Sequence, residues 1–80
     1  MTDTILRLPS VKTSTGLSRS TLYLRIAEGV FPKPVNLGGR AVGWPASEVA
    51  SLNAARISGK SNAEIRDLVV KLEAARKTTA

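Results

Sequence analysis

The chain contains neither cysteine nor histidine, and only six of its 80 residues are acidic. Without cysteine no disulfide can form, so a chain of this size depends on its apolar core for stability. Without thiolate or imidazole ligands we expect no zinc site, and nothing in the sequence indicates a metal or other cofactor. The few carboxylates form no recognisable set with the lysines and hydroxyls, so we expect a protein that is not an enzyme.

Aromatic residues and long apolar runs are also scarce. One Trp, one Tyr and one Phe are too few for the series of exposed rings that usually stacks single-stranded nucleic acid. No apolar run approaches the roughly 18 residues that cross a bilayer. Residues 1–10 lack the basic start and the long apolar stretch of a signal peptide. The sequence predicts a cytoplasmic protein with no membrane partner and no evident small-molecule ligand.

Positive charge is plentiful, and it is unevenly distributed. Twelve lysine and arginine residues give the chain a net charge of +6. From Arg7 to Arg40 there are six basic residues and one acidic residue, a local net charge of +5. From Gly59 onward five basic residues accompany three acidic ones. We therefore expect a polyanion as the partner, bound by the first half of the chain.

The first thirty residues predict two short helices joined by a tight turn. Pro9 suits the first turn of one helix, and Gly16 suits its end. A second helix is predicted from Arg19 to Glu28, with Ser18 as its N-cap. Its leading end, "SRSTLY", carries hydroxyls, an arginine and a tyrosine. Two helices of this kind are typical of a helix-turn-helix.

The stretch "FPKPVNLGGRAVGW" predicts a small β-hairpin, or wing. Its two prolines exclude a helix, and short strand-like runs at 35–37 and 41–44 flank Gly38-Gly39. Paired glycines between two such runs favour a two-residue hairpin turn. Arg40 would then lie at the tip or just beyond it. Trp44 is expected to be part of the core, because it ends the hairpin and precedes a helix.

Two further helices are predicted, one after Pro45 and one after the break at Ser58-Gly59-Lys60. We place a DNA-binding domain at 1–58 and a C-terminal helix at 59–80. The last helix begins with a capping box and carries an apolar stripe of four residues, Ile65, Leu68, Val69 and Leu72. This stripe either covers the domain or forms a dimer seam. Its near-heptad spacing favours a homodimer through residues 61–77.

The segment "LPSVKTSTGLSRSTLYLRIAEGVFPKPVNLGGRAVGWPASEV" closely resembles the AlpA-type regulatory proteins of prophages and related mobile elements. Its most specific pieces are "TGLSRSTLY", "EGVFPKPVNLGGRAVGW" and "SEV". The resemblance covers about residues 5 to 57. It implies a winged helix-turn-helix similar to the DNA-binding domain of MerR regulators and of some phage excisionases. Where the family commonly has arginine after the tyrosine, this chain has Leu24-Arg25, which moves the basic side chain about 100° around the helix.

The expected fold class is therefore mostly α with a small β-hairpin wing, a winged helix-turn-helix followed by a C-terminal helix. The resemblance implies a transcriptional regulator that binds double-stranded DNA. A helix N-terminus favours phosphate, and an arginine can read guanine in the major groove. The candidate DNA contacts are Ser18, Arg19, Ser20, Thr21, Tyr23, Lys33 and Arg40. The alternatives are an excisionase-like factor that bends DNA and a protein-interaction adaptor acting through the C-terminal helix.

Overall fold

The computed structural model describes residues 4–76, and these residues form a winged helix fold. The strands and helices follow the order β1 (Ile5–Leu6), α1 (Leu8–Thr15), α2 (Arg19–Ala27), β2 (Val35–Gly38), β3 (Ala41–Pro45), α3 (Ala46–Ile57) and α4 (Asn62–Ala75). The three strands form an antiparallel sheet of order β1-β3-β2. This arrangement confirms the predicted fold class. Within the described range, no helix is both long and apolar enough to cross a membrane.

Local capping signals set the bounds of α1 and α2, as predicted. Gly16 adopts a left-handed conformation with a φ of 72°, and its amide donates to the carbonyl of Lys12 to end α1. Ser18 is the N-cap of α2, where its hydroxyl accepts a hydrogen bond from the amide of Thr21. Helix α2 ends at Ala27, one residue before the predicted end. The two short helices therefore lie where the sequence places them.

The hairpin is present, but its turn is shifted by one residue. Gly38 pairs with Ala41, so the two turn residues are Gly39 and Arg40, not Gly38 and Gly39. Both glycines have positive φ, 110° at Gly38 and 56° at Gly39, which other residues rarely adopt. The register is irregular between Asn36 and Gly38, where the Gly38 amide donates to Asn36 Oδ1 at 2.8 Å. Arg40 consequently lies in the turn itself, at the tip of the wing.

Strand β1 was not predicted. It pairs with β3 so that Ile5 faces Pro45 and Leu6 faces Trp44. Gly43 allows β1 to lie this close to β3, because a Cβ at residue 43 would lie 2.5 Å from the Ile5 side chain and 3.0 Å from the Leu6 carbonyl oxygen. A strand of two residues has no alternation to detect, so the sequence carries no usable signal for it.

Trp44 lies at the centre of the core, as predicted. Its side chain is fully buried, and its indole N–H donates to the carbonyl of Pro32 at 2.9 Å. The Phe31 ring meets it edge-on, with ring centres 6.2 Å apart. Val49 and Leu52 of α3 belong to the same cluster. These contacts fix Phe31 and Pro32, which precede the wing, to the core that includes α3.

Helix α4 packs against α3 and completes this core. Ile65 is fully buried and Val69 is 4% exposed, and Leu68 and Leu72 pack against the same cluster. The preference for a dimer seam is corrected here, because Ile65 and Val69 cannot contact a second copy while α4 packs in this way. Of the two alternatives, the structure shows the intramolecular cover. The predicted segment 61–77 ends at Lys77, which lies outside the described residues.

The capping box predicted at the start of α4 is present. Ser61 Oγ accepts from the Glu64 amide at 3.2 Å, and the Glu64 carboxylate accepts from the Ser61 amide at 3.1 Å. The hydrogen bond from the Ser61 backbone, then that from its hydroxyl, then the charge of Lys60, lower the pKa of Glu64 below its ordinary value. A lowered folded-state pKa stabilises the fold above the ordinary carboxyl pKa, and this contribution is lost as pH falls through the folded value.

This linkage predicts a pH-dependent effect of Glu64→Gln. The free-energy difference of unfolding between the native chain and the variant should be largest near neutral pH and shrink as the pH falls through and below the ordinary glutamate pKa of about 4.3. Urea denaturation followed by circular dichroism at a series of pH values measures it. The matched control is Asp67→Asn, an exposed carboxylate on the same helix. A Glu64→Gln difference that is independent of pH would contradict the assigned role of the carboxylate.

Candidate nucleic-acid interface

The leading end of α2 presents three of the predicted contact residues together. Arg19, Ser20 and Tyr23 line one shallow depression on the surface. Arg19 and Tyr23 are one turn apart, and the guanidinium carbon lies 5.8 Å from the centre of the Tyr23 ring. A cation over an aromatic face is attracted to it, which restricts where the arginine points. Tyr23 is nevertheless 38% exposed, and Leu24 beside it is 57% exposed. This face is open to a partner.

Two of the predicted contact residues, Ser18 and Thr21, are occupied with each other. Ser18 Oγ accepts from the Thr21 amide at 3.3 Å and donates to Thr21 Oγ1 at 2.9 Å. Thr21 is also half-buried. The principal structural role of this pair is therefore to cap α2. Within residues 4–76 the next two amides, those of Arg19 and Ser20, have no protein acceptor. Such amides at a helix N-terminus are suited to an anion.

The wing supplies the remaining two predicted residues. Arg40 is exposed at the turn, and no carboxylate of the described residues forms an ion pair with it. Lys33 is exposed at the base of the wing. Neither residue lines the depression formed by α2. The structure therefore presents the basic side chains as two separate surfaces, the leading face of α2 and the wing.

The base of the wing is held by the last turn of α4, through contacts that the sequence analysis did not identify. The Lys33 amide donates to Glu73 Oε2 at 2.9 Å, and the Lys33 carbonyl accepts from Arg76 Nη2 at 2.8 Å. Arg76 also forms a bidentate ion pair with Glu48, in which Nε donates to Oε2 at 2.8 Å and Nη2 donates to Oε1. Glu48 is only 5% exposed, at the start of α3. We call the set Lys33, Glu48, Glu73 and Arg76 the wing brace.

Residues 4–57 match the family of the prophage CP4-57 regulatory protein, AlpA. The chain belongs to the AlpA family. It is also similar to "Uncharacterized protein ORF88" of Enterobacteria phage P4, with 48% identity over 58 residues, covering 72% of this chain and 66% of that protein. The chain thus matches just under two thirds of the length of this relative. These findings confirm the resemblance to prophage regulatory proteins.

The AlpA match covers every strand and helix of the structure except α4. It runs from the start of β1 to the end of α3, and so it includes α2 and the whole wing. Helix α4 follows the matched segment, yet it supplies two core residues and one side of the wing brace. Helix α4 thus stabilises the core and the wing from outside the segment shared with the AlpA family.

Proposed function

We propose that the chain is a sequence-specific transcriptional regulator of a prophage or mobile element that binds double-stranded DNA through α2 and the wing. The observation that supports this best is Arg19 positioned over the exposed Tyr23 ring on the leading face of α2. Arginine in a defined orientation can donate two parallel hydrogen bonds to guanine O6 and N7 in the major groove. The AlpA family, a prophage regulatory family, supports the regulatory role.

In this proposal α2 enters the major groove by its N-terminal end. Arg19 reads a base edge, and Tyr23 contacts phosphate or a thymine methyl group. The amides of Arg19 and Ser20 receive a phosphate oxygen at the helix N-terminus. Ser18 and Thr21 act mainly by fixing where α2 begins, because their hydroxyls bond to each other. In this proposal Arg19 recognises the base, and the N-terminus of α2 fixes the position of the helix along the duplex.

The wing contacts the duplex beside the groove that α2 occupies. Arg40 at its tip reaches phosphate or the adjacent minor groove, where a narrowed groove attracts arginine. Lys33 at its base contacts phosphate. The local net charge of +5 between Arg7 and Arg40 strengthens both contacts and speeds association with the polyanion. The protein acts by occupying a promoter or attachment-region site, and no reaction is catalysed.

The adaptor alternative is not favoured by the position of the apolar stripe. It required a partner to bind the apolar stripe of the C-terminal helix, but Ile65 and Val69 are buried and Leu68 and Leu72 pack against the core. Homodimerisation stays a prediction, and it would need a surface other than this stripe. A dimer would place two recognition helices about 34 Å apart on an inverted repeat. A monomer would read a single short site.

Arg19→Ala is expected to remove base discrimination more than it removes total affinity. Loss of a bidentate arginine–guanine contact should weaken binding to the preferred duplex by about 1–3 kcal/mol and relax the preference at one base pair. The measurement is binding to a duplex selected from a random library and to a scrambled duplex, each at several salt concentrations. Arg19→Lys keeps the charge but not the two parallel bonds, so it should also lose discrimination.

Arg40→Ala is the matched comparison in the same assay. About five phosphate contacts give a log–log salt slope near −4.5, and removing one phosphate contact lowers its magnitude by about 1 without changing base preference. A steep salt slope without any selectivity in the native chain would instead favour the excisionase-like, DNA-bending alternative. No binding to duplex DNA at low salt would overturn the proposal.

A further inference from the structure

A half-open cavity of about 380 Å³ is lined by residues of α2 and α3 and of the turns beside them, and none of Arg19, Ser20 and Tyr23 lines it. Arg25, which lines it, follows Tyr23 by two residues and so projects about 200° around the helix from it. The apolar walls come from the turn after α1, the segment after α2, and α3, and comprise Leu17, Val30, Phe31, Leu52 and Ile57. We call this space the Arg25 cavity.

Two arginines line the Arg25 cavity, and neither has a counter-ion among residues 4–76. Arg25 Nε is buried and has no hydrogen-bond partner among the described residues. Arg56 also lines the cavity, and its Nη1 donates to an uncharged amide, Asn62 Oδ1, at 3.2 Å. No carboxylate in residues 4–76 forms an ion pair with either arginine.

The two arginines also repel each other. Partial burial, and then the nearby charge of Arg25, lower the pKa of Arg56 below its ordinary value. A buried donor without a partner and two unneutralised like charges both destabilise the free protein. An anion between them would satisfy the donor and reverse the repulsion. The cavity is thus electrostatically suited to a negative group.

We propose that the Arg25 cavity binds a small organic carboxylate, whose carboxylate group accepts hydrogen bonds from Arg25 and Arg56 and whose apolar body contacts Leu17, Phe31 and Leu52. The planar guanidinium matches a carboxylate in shape as well as in charge. The volume falls within the usual range of small-molecule sites, and the mostly apolar walls require an apolar body. This site is independent of the proposed DNA contacts.

The shape of the cavity separates this ligand from the other anions available to the protein. A bare inorganic phosphate would leave the apolar walls solvated and unused. A DNA phosphate contacted by Tyr23 lies on the far side of α2 from Arg25, given the helical geometry. A carboxylate with a hydrocarbon or aryl body fills both parts of the site at once. Binding it is an activity beyond regulation by DNA contact.

The test uses the full chain labelled with ¹⁵N, titrated with sodium benzoate, with benzamide as the neutral analogue and with inorganic phosphate as the bare anion. Benzoate should give saturable shifts at the amides of Leu17, Phe31 and Ile57 and at the Arg25 side-chain Nε–H. Arg25→Gln should weaken benzoate binding by about tenfold or more, because it removes a charge-assisted hydrogen-bond donor. Lys71→Gln removes one exposed positive charge on α4 and should change the affinity by less than about twofold.

Four results would overturn the proposal. One is the absence of saturable shifts at the cavity residues with benzoate. Another is an affinity for phosphate equal to that for benzoate, which would show that the site needs no apolar body. An affinity for benzamide equal to that for benzoate would likewise show that the site needs no negative charge. The fourth is a folded Arg25→Gln chain that binds benzoate normally but binds duplex DNA more weakly, which would make Arg25 a phosphate contact. If Arg25→Gln does not fold, Arg56→Gln at the exposed side of the cavity gives the same test.

Discussion

Ile65→Ala is expected to lower the free energy of unfolding by about 2–5 kcal/mol, the usual effect of truncating a large buried aliphatic side chain. Ile65 is fully buried and belongs to the same cluster as Trp44 and Leu22. Removing it leaves a void between α4 and the rest of the core, which a domain this small can compensate only in part. The effect should appear in the monomer and should not depend on protein concentration.

The measurement is urea denaturation followed by circular dichroism at two protein concentrations that differ tenfold. The control is Val70→Ala on the outer face of α4, where the side chain is 68% exposed and the change should be within about 0.5 kcal/mol. If Ile65 formed a dimer seam, the unfolding midpoint would rise with protein concentration, and Ile65→Ala would reduce that dependence. A mild effect of Ile65→Ala on an otherwise stable monomer would contradict its place in the core.

The parts of the fold that were predicted correctly are those with local signals. Gly16 and Ser18 bound α1 and α2 because each acts on the backbone within one turn of itself. Gly38 and Gly39 marked the hairpin because a tight turn needs positive φ. The exact turn residues differed by one, since the pairing of Gly38 with Ala41 depends on the irregular register of the two strands.

The apolar stripe of α4 illustrates a feature that local sequence signals do not determine. Periodicity establishes that one face of a helix is buried, but it does not identify what covers that face. The spacing of Ile65, Val69 and Leu72 suits a second helix of another copy as well as it suits α3. Only the tertiary structure, in which Ile65 and Val69 complete the core around Trp44, decides between them.

The same limit applies to the candidate site. The exposure of Ser20 and Tyr23 follows from helical geometry, because both point away from the buried Leu22. Arg19 lies nearer the Leu22 side of the helix and is exposed because it belongs to the open first turn of α2. Glu48 and Arg76 are 28 residues apart, and no local pattern links them. The approach of Arg25 to Arg56 likewise joins α2 to α3. Charges brought together by folding are therefore the features that sequence reasoning missed.

Arg76→Ala is the second change with a large expected effect, a loss of about 2–3 kcal/mol of stability, somewhat less than breaking a fully buried ion pair. The Glu48 side chain is only 6% exposed, whereas that of Arg76 is 24% exposed and retains some hydration. Without Arg76, the Glu48 carboxylate is left at the edge of the core with no positive partner among residues 4–76. The Lys33 carbonyl loses its hydrogen bond from Arg76 at the same time.

Two companion variants separate charge from packing. Glu48→Gln in the Arg76→Ala background removes the unpaired charge, so it should recover a substantial part of the lost stability. Arg76→Lys keeps a positive charge but cannot donate two parallel hydrogen bonds, and it should fall between the native chain and Arg76→Ala. Urea denaturation of all four chains measures the series. Equal stability of Arg76→Ala and the native chain would show that Glu48 needs no positive partner.

The wing brace also predicts a functional consequence that stability alone does not give. Arg76 holds the backbone at Lys33, two residues before β2, while α2 is anchored separately through Leu22. At a temperature where Arg76→Ala remains folded, its affinity for the selected duplex should fall, because the contacts made by the wing are weakened. Its preference for the base read by Arg19 should persist. Loss of that base preference together with affinity would mean that the brace orients α2 as well. Unchanged affinity would mean that the wing keeps its position without α4, and that the brace serves only stability.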